Sequence, residues 1–296
     1  MQIKLVILLL VTSTMLCLGC KNGLTIFEQI EQETRLEDAV IIGSVNSIVK
    51  FNGKLYASDG NIYTKDESAV RGWSKTTGPG GTIIKLATNS TNIYALNADR
   101  VLYTSTNGSA WNTINTSSTG TIETIFWDGD TSSPQAYLKT TAGKFYKLQN
   151  GSSPSQEESS IKSTVIVKNN SYTYSASGST VSVNNGTDLG SVDVDATVYS
   201  LTYSKADSAI YAGTSKGLKK LPVSKDDGKL TGAKLDPPGN WGATIKSYEA
   251  FAVLATGTSG TDAALYTSTI SSGSDYSKVN GLWGYYYSRR DTWNRE

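Results

Sequence analysis

From about Val40 onward, apolar and polar positions alternate in runs of four to eight residues, and each run ends in a cluster of Gly, Asn, Asp or Ser. Lys54-Leu55-Tyr56-Ala57 runs into Ser58-Asp59-Gly60-Asn61, and Ser179-Thr180-Val181-Ser182-Val183 runs into Asn184-Asn185-Gly186. A period of two puts alternate side chains on opposite faces of a strand, and frequent turn residues stop each strand early. No helical period follows residue 40. The pattern predicts an all-β fold: a sandwich, a barrel or a propeller.

A repeat chooses among these. An apolar or aromatic pair, small residues, a Gly- or Asp-bearing turn and a second apolar run recur six times. The markers Tyr56, Tyr94, Tyr137, Tyr174, Tyr211 and Phe251 stand 38, 43, 37, 37 and 40 residues apart, a mean of 39. That spacing is close to one four-stranded propeller blade of roughly 40 to 50 residues. One such sheet cannot cover both of its faces, whereas a ring of sheets can, each packing on the next. The expected fold is therefore a β-propeller of six four-stranded blades. The marker strand is expected to be an inner strand, and the two chain ends are expected to share a blade and so close the ring. Trp283, Tyr285 and Tyr287 alternate within Gly281–Glu296, which exceeds a tidy sixth blade and leaves seven open.

The first residues differ in kind. Lys4 is the only charge before Cys20, and a mostly apolar run of 14 residues extends from Leu5 to Leu18. A spanning helix needs about 20 residues; a short apolar run behind a positive start reads as a secretory signal. Cys17 and Cys20 are the only cysteines, and the chain has no histidine. A tetrahedral zinc site needs four ligands, and a redox Cys pair belongs beside a strand–helix unit, so neither reading fits. Leu16-Cys17-Leu18-Gly19-Cys20 resembles a bacterial lipobox in the loose form of spirochaetal lipoproteins. The resemblance implies a signal peptide over residues 1–19 and an acylated Cys20; the residue pattern then gives a stem over 20–39 and the repeat a propeller over 40–296. Phe27–Leu36 reads as a short helix or a solvated spacer. Two or more acyl chains give stable anchoring.

Leu102–Trp111 resembles the Asp-box hairpin of sialidase-like propellers, with Ser105, Asn107, Gly108 and Trp111 matching a shortened form. That motif is architectural: a polar side chain closes the turn and the Trp packs beneath it. Residues 287–293 are a degenerate echo. The whole chain is also similar to treponemal lipoproteins held to be surface-exposed propellers, some of which bind fibronectin. That resemblance rests on the loose lipobox, the Ser/Thr/Gly-rich repeats and the Tyr-rich end.

Chemistry is sparse. Without histidine, Ser–His–Asp and Cys–His nucleophiles are excluded, and no phosphate-binding Gly-rich loop is present. Sialidases depart from the two-carboxylate rule by using a Tyr nucleophile, and the family clamps its substrate carboxylate with three arginines. Here Arg35 lies in the stem and Arg289, Arg290 and Arg295 lie at the far end, leaving Arg71 and Arg100. Asp128-Gly129-Asp130 and Asp226-Asp227-Gly228 lack the spacing of a calcium loop and read as solvated turns. With 27 basic and 26 acidic residues the chain carries no basic footprint for nucleic acid. No enzyme activity, cofactor or metal is expected.

The remaining candidates form a binding surface: Trp283, Tyr285, Tyr287, Arg289 and Arg290, with Trp73 and Trp241 in Gly-rich loops, since aromatics and Arg are enriched at hot spots. Trp73 and Trp241 read equally as loop anchors. The expected function is a lipid-anchored, non-catalytic binding module in the outer membrane, with a protein ligand such as fibronectin or another matrix protein. The alternatives are a periplasmic-side scaffold for envelope assembly and a sialidase-like glycoside hydrolase.

Overall fold

The computed structural model describes residues 39–41, 43–130, 132–154, 158–239, 248–271, 280–289 and 293–296. The signal peptide, Cys20, the 27–36 stem, Trp241 and Arg290 lie outside them. Val40–Glu296 form one unit, which the described residues show to be all β.

The strands fall into six antiparallel meanders. Blade 1 holds β1 (Ser47–Phe51), β2 (Lys54–Ser58), β3 (Ile62–Asp66) and β4 (Ser74–Thr76). Blade 2 holds β5 (Ile83–Thr88), β6 (Ile93–Asn97), β7 (Leu102–Ser105) and β8 (Asn112–Thr113). Blade 3 holds β9 (Ile122–Trp127), β10 (Ala136–Thr140) and β11 (Phe145–Leu148). Blade 4 holds β12 (Ile166–Asn169), β13 (Tyr172–Ser177), β14 (Thr180–Asn184) and β15 (Asp188–Asp193). Blade 5 holds β16 (Val198–Ser204), β17 (Ala209–Thr214) and β18 (Gly217–Pro222). Blade 6 holds β19 (Glu249–Thr256), β20 (Ala264–Ile270), β21 (Gly281–Tyr286) and β22 (Trp293–Arg295). In blades 3 and 5 the outer edge is covered by shorter pairings: the Glu158 amide donates to Phe145 O, and Lys220 and Leu235 exchange two backbone hydrogen bonds.

The first strand of each blade lines the axis. β1 packs on β5, β5 on β9, β12 on β16, β16 on β19, and β19 on β1. Blades 3 and 4 meet through a bond from the Lys168 amide to Asp128 O and a Phe126, Tyr137, Ile161 and Ile166 cluster. The ring is thus a six-bladed β-propeller. Blade 6 is built wholly from residues after 248 and blade 1 wholly from residues before 77. The expected shared blade is therefore absent, and the seam is closed by side chains together with one backbone bond, from the Ile41 amide to Glu296 O at 3.4 Å. Ile41 and Val45 pack with Leu282, Tyr266 and Tyr286 of blade 6 and with Leu55 and Trp73 of blade 1. Gly281–Glu296 is the outer half of blade 6, not a seventh.

The marker strand is the second of each blade, one step out from the axis. There both edges are paired and both faces meet neighbouring blades, so β6 and β17 are buried at every position. A strand covered on both faces reads as a near-continuous apolar run, which is why Ile-Tyr-Ala recurs. In blade 6 the equivalent residue is Tyr266, and Phe251 lies on the axial strand β19. The true last step, from Tyr211 to Tyr266, is 55 residues, because the chain between β18 and β19 is longer than its counterparts.

These tyrosines explain the repeat chemically. Each is buried in its own blade and reaches the next one. The Tyr94 hydroxyl takes a bond from the Gly151 amide at 3.4 Å, and Tyr174 donates to Gly228 O at 2.8 Å. Tyr137 bonds Lys168, Tyr211 meets Tyr287 at 3.4 Å, and Tyr266 accepts from Lys65 at 3.0 Å. Tyr56 lies against the blade-2 hairpin so closely that a methyl group on Gly108 would stand 2.2 Å from its hydroxyl. Burial raises the pKa of all six phenols, so each stays a neutral donor or acceptor at physiological pH.

Candidate functional site

A concavity lies where β1, β16 and β19 end. Their loops enclose a basin of about 610 Å³ lined by Lys50, Glu67, Tyr203, Lys205, Asp262 and Tyr286, among others. It is continuous through Lys50 and Ser132 with a hollow of about 210 Å³ and through Ser132, Tyr203 and Lys205 with one of about 60 Å³. The first volume falls within the usual range of small-molecule and side-chain recognition sites, roughly 300–1,000 Å³.

The basin's charges are mostly engaged. Lys50 Nζ lies 2.7 Å from Glu67 Oε1. Asp262 Oδ1 accepts from the Ser259 amide at 2.9 Å, the Ser259 hydroxyl at 3.0 Å and the Thr258 amide at 3.3 Å. Those bonds, the Ser259 amide foremost, hold its carboxyl below the usual range. Lys205 Nζ lies 3.4 Å from Ser132 Oγ and pairs with no carboxylate among the described residues. Lys168 Nζ stands 3.5 Å from Asp128 Oδ2. Burial would lower this ammonium, but Tyr137 and Asp128 outweigh it and raise its pKa. Burial pushes the Asp128 carboxyl up.

The structure corrects the reading of Asp128 as part of a solvated turn. Its side chain is 1 % exposed and its Oδ1 accepts from the Gln135 amide at 3.0 Å and the Asp130 amide at 3.3 Å. It is a buried corner post between blades 3 and 4. Asp227 does sit in an open turn, paired with Lys229 at 2.9 Å. Among the described residues no three acidic, Cys or His side chains cluster as metal ligands would.

Between the axial strands lies a tunnel of about 120 Å³. All six blades contribute to it, through Ser47, Lys85, Thr124, Val165, Tyr199 and Phe251 among others. Tyr199 and Phe251 stack with ring centroids 4.5 Å apart and planes within 2°. Trp127, the last residue of β9, lines both the tunnel and the adjoining hollow of the basin face. It packs on the cores of blades 1, 2 and 3 and stands between the tunnel and that hollow.

The residues proposed from sequence do not gather at either cavity. Tyr285 is 6 % exposed and lies 5.1 Å from the Tyr287 ring and 5.5 Å from the Trp293 ring. Trp283 Nε1 donates to Thr269 at 3.0 Å, and the Tyr287 hydroxyl donates to Asp207. This aromatic strand is packing between blades 5 and 6, because β21 has β20 on one edge, β22 on the other and blade 5 against its face. Arg289 is exposed. Trp73 is a buried anchor that donates to Glu296 Oε2 at 2.8 Å.

Ser105 and Asn107 close the β7–β8 hairpin. Ser105 Oγ accepts from the Gly108 amide at 2.9 Å, and Asn107 Oδ1 accepts from the Ser109 and Ala110 amides, each at 2.9 Å. Gly108 takes φ +76°, and Trp111 packs on the neighbouring core. Of the described arginines, Arg71, Arg100 and Arg289 are exposed, Arg295 donates to Asn280 O, and none of these four lines the basin or tunnel. Lys50, Glu67, Lys85, Trp127 and Lys205 were missed. Lys50 and Lys85 each carried a signal, as a charge inside an apolar run, Ile48-Val49-Lys50-Phe51 and Ile83-Ile84-Lys85-Leu86.

Solved structures resemble the fold at a distance. The WD40 β-propeller domain of Doa1 aligns at 13 % identity and TM-score 0.45 over 79 % of this chain and 92 % of that one. A chain of a Mitotic Checkpoint Complex aligns at 13 % and 0.46 over 76 % and 74 %. YCF48 from Cyanidioschyzon merolae aligns at 12 % and 0.47 over 87 % and 86 %. Likenesses this remote carry no function. A comparison with curated proteins finds no match. Among the described residues no helix is long and apolar enough to cross a membrane. A family profile matches residues 2–231, from the apolar leader through five blades, and by that match the chain belongs to the TP013X lipoprotein family and is a lipid-anchored envelope protein.

Proposed function

We propose that this lipoprotein is a non-catalytic binding module that presents its axial basin to a protein ligand. The carrying observation is the chemistry of the basin. It is large enough to accept side chains, and the carboxylates that line it are tied to Lys50 or to turn amides. None is left poised as an acid–base pair, which favours recognition over hydrolysis. Lys205, free of a carboxylate partner among the described residues, and Lys50 at the rim offer cationic contacts to an acidic segment. In this reading Cys20 carries the acyl chains, the outer membrane is the host bilayer, and the ligand is an extracellular-matrix protein such as fibronectin.

Titrating the full lipidated chain in nanodiscs against fibronectin and laminin tests the ligand. Saturable binding at roughly micromolar Kd that Lys205→Glu weakens supports the reading. Absence of saturable binding to either protein removes the adhesin form. Protease treatment of intact cells tests the membrane face. Survival of the protein until the outer membrane is broken would favour the periplasmic scaffold.

A further inference from the structure

Among the described residues the axial tunnel is lined by one charged side chain, Lys85, and by no counterion. Lys85 lies on β5 and its ammonium donates to Asn46 O at 2.8 Å. No carboxylate lines the tunnel, and among the described residues none pairs with Lys85. The other titratable lining group is the Tyr199 phenol, raised by burial and by Glu249 at the start of β19. Of the three N–H groups on the ammonium, one is taken by Asn46, and among the described residues no other acceptor takes a second. Part of the side chain is still reached by solvent, yet desolvation alone lowers its pKa. The cation is thus held in a narrow polar-and-aromatic passage, where an opposite charge would interact more strongly than in bulk water.

From this geometry we infer that the tunnel binds a small carboxylate-sized anion at Lys85. Volume sets the class. About 120 Å³ corresponds to roughly four water molecules at about 30 Å³ each. That admits a formate, an acetate or the head of one acidic side chain. The stacked Tyr199–Phe251 wall offers an apolar surface to the non-ionised end of such a group. The Asn46 carbonyl fixes the amine from one side, leaving the tunnel side to the anion. This inference does not depend on the basin being a protein-binding face.

Lysine side-chain NMR on the full-length chain in detergent micelles tests it, with K85M used to assign the Lys85 signal. Formate and acetate are titrated, with a bulky sulfonate too large for the tunnel as the control at equal ionic strength. A short peptide bearing one Glu forms the last arm. The expected result is a saturable change at Lys85, Tyr199 and Phe251 with the small carboxylates and none with the sulfonate. It comes with a rise in the Lys85 pKa of about one unit at an anion concentration near ten times its Kd. Saturation by the peptide but not the free acids would place the carboxylate on a partner chain. Equal, non-saturating responses to acetate and sulfonate, or no response to any arm, would show that the tunnel holds only water and would overturn the inference.

Discussion

Substituting Glu296 by Gln tests how the ring is closed. Glu296 and Lys65 meet across the junction of blades 6 and 1 at 3.1 Å, with side chains 2 % and 0 % exposed. Lys65 also donates to Tyr286 at 2.7 Å and to Tyr266 at 3.0 Å, and its ammonium stands 4.6 Å from the Tyr266 ring centroid. Trp73 and Tyr286 donate to the same carboxylate at 2.8 and 2.7 Å. Removing one member of a buried pair leaves the other charge uncompensated, which costs about 3–5 kcal/mol. For a domain of this size each kcal/mol lowers Tm by about 2–4 °C, so E296Q should lower Tm by about 6 to 20 °C. Lys65→Met in the same chain removes the stranded charge, and the double variant should lose clearly less than the two single losses added together.

The pH dependence has a definite sign. Desolvation pulls the Lys65 pKa below its unfolded value, against the support of Glu296. Between the folded and unfolded values the unfolded chain holds the extra proton, so stability rises with pH across that window. With Glu296 neutralised the folded pKa drops further and the window widens downward. E296Q should therefore recover part of its loss as pH rises towards 10. Thermal unfolding followed by tryptophan fluorescence, which Trp73 reports directly, reads all three variants. A single-variant loss below about 1 kcal/mol, or full additivity in the double variant, would refute the assignment of the seam to this pair.

Further outcomes follow from other contacts. Asp207→Asn should remove an acid-sensitive support between blades 5 and 6. Burial alone would raise the Asp207 carboxyl, but bonds from Tyr211, Tyr287 and Lys220 hold it below its ordinary value. The wild type then loses stability as pH falls through the folded pKa, and the variant's acid limb should be flatter in a Tm-versus-pH series. Gly108→Ala forces a Cβ at φ +76° against Tyr56 and should cost about 1–3 kcal/mol, measured by urea unfolding; an unchanged midpoint would contradict the close approach. Cys20→Ala should abolish acyl labelling and release the chain from the membrane fraction, and continued membrane retention would count against the anchor.

Much of the architecture was legible because it repeats. Tyr56, Tyr94, Tyr137, Tyr174 and Tyr211 all stand at the same register of the second strand, and their spacing sets the blade length. The sixth marker slipped to Phe251 because an axial strand and a second strand share the same apolar-aromatic texture. Only the partners decide between them: Tyr266 pairs with Gly284 within its blade, whereas Phe251 stacks on Tyr199 of the neighbouring axial strand in the tunnel wall. The cavities were not legible. Lys50, Lys85 and Lys205 come from blades 1, 2 and 5, and nothing local marks them as facing one axis. Aromatic richness near Tyr285 suggested a surface, yet a propeller buries both faces of such a strand. Lys65 and Glu296 look like surface charges in sequence, and only ring closure turns them inward.

The marker tyrosines also bear on how the chain acquires its structure. Each marker tyrosine packs against or bonds the blade that follows it, and the last, Tyr266, meets Lys65 in the first. No blade therefore possesses its full set of contacts when its own residues have been delivered. A chain threaded across a membrane from its N-terminus must hold blade 1 with Lys65 lacking its acid partner until Glu296 arrives. Local pairing within each meander can form early, but the transition to a finished ring is deferred to the final residues. The lipoprotein should consequently mature in one late cooperative step, with truncated chains left as open arcs exposing both end blades.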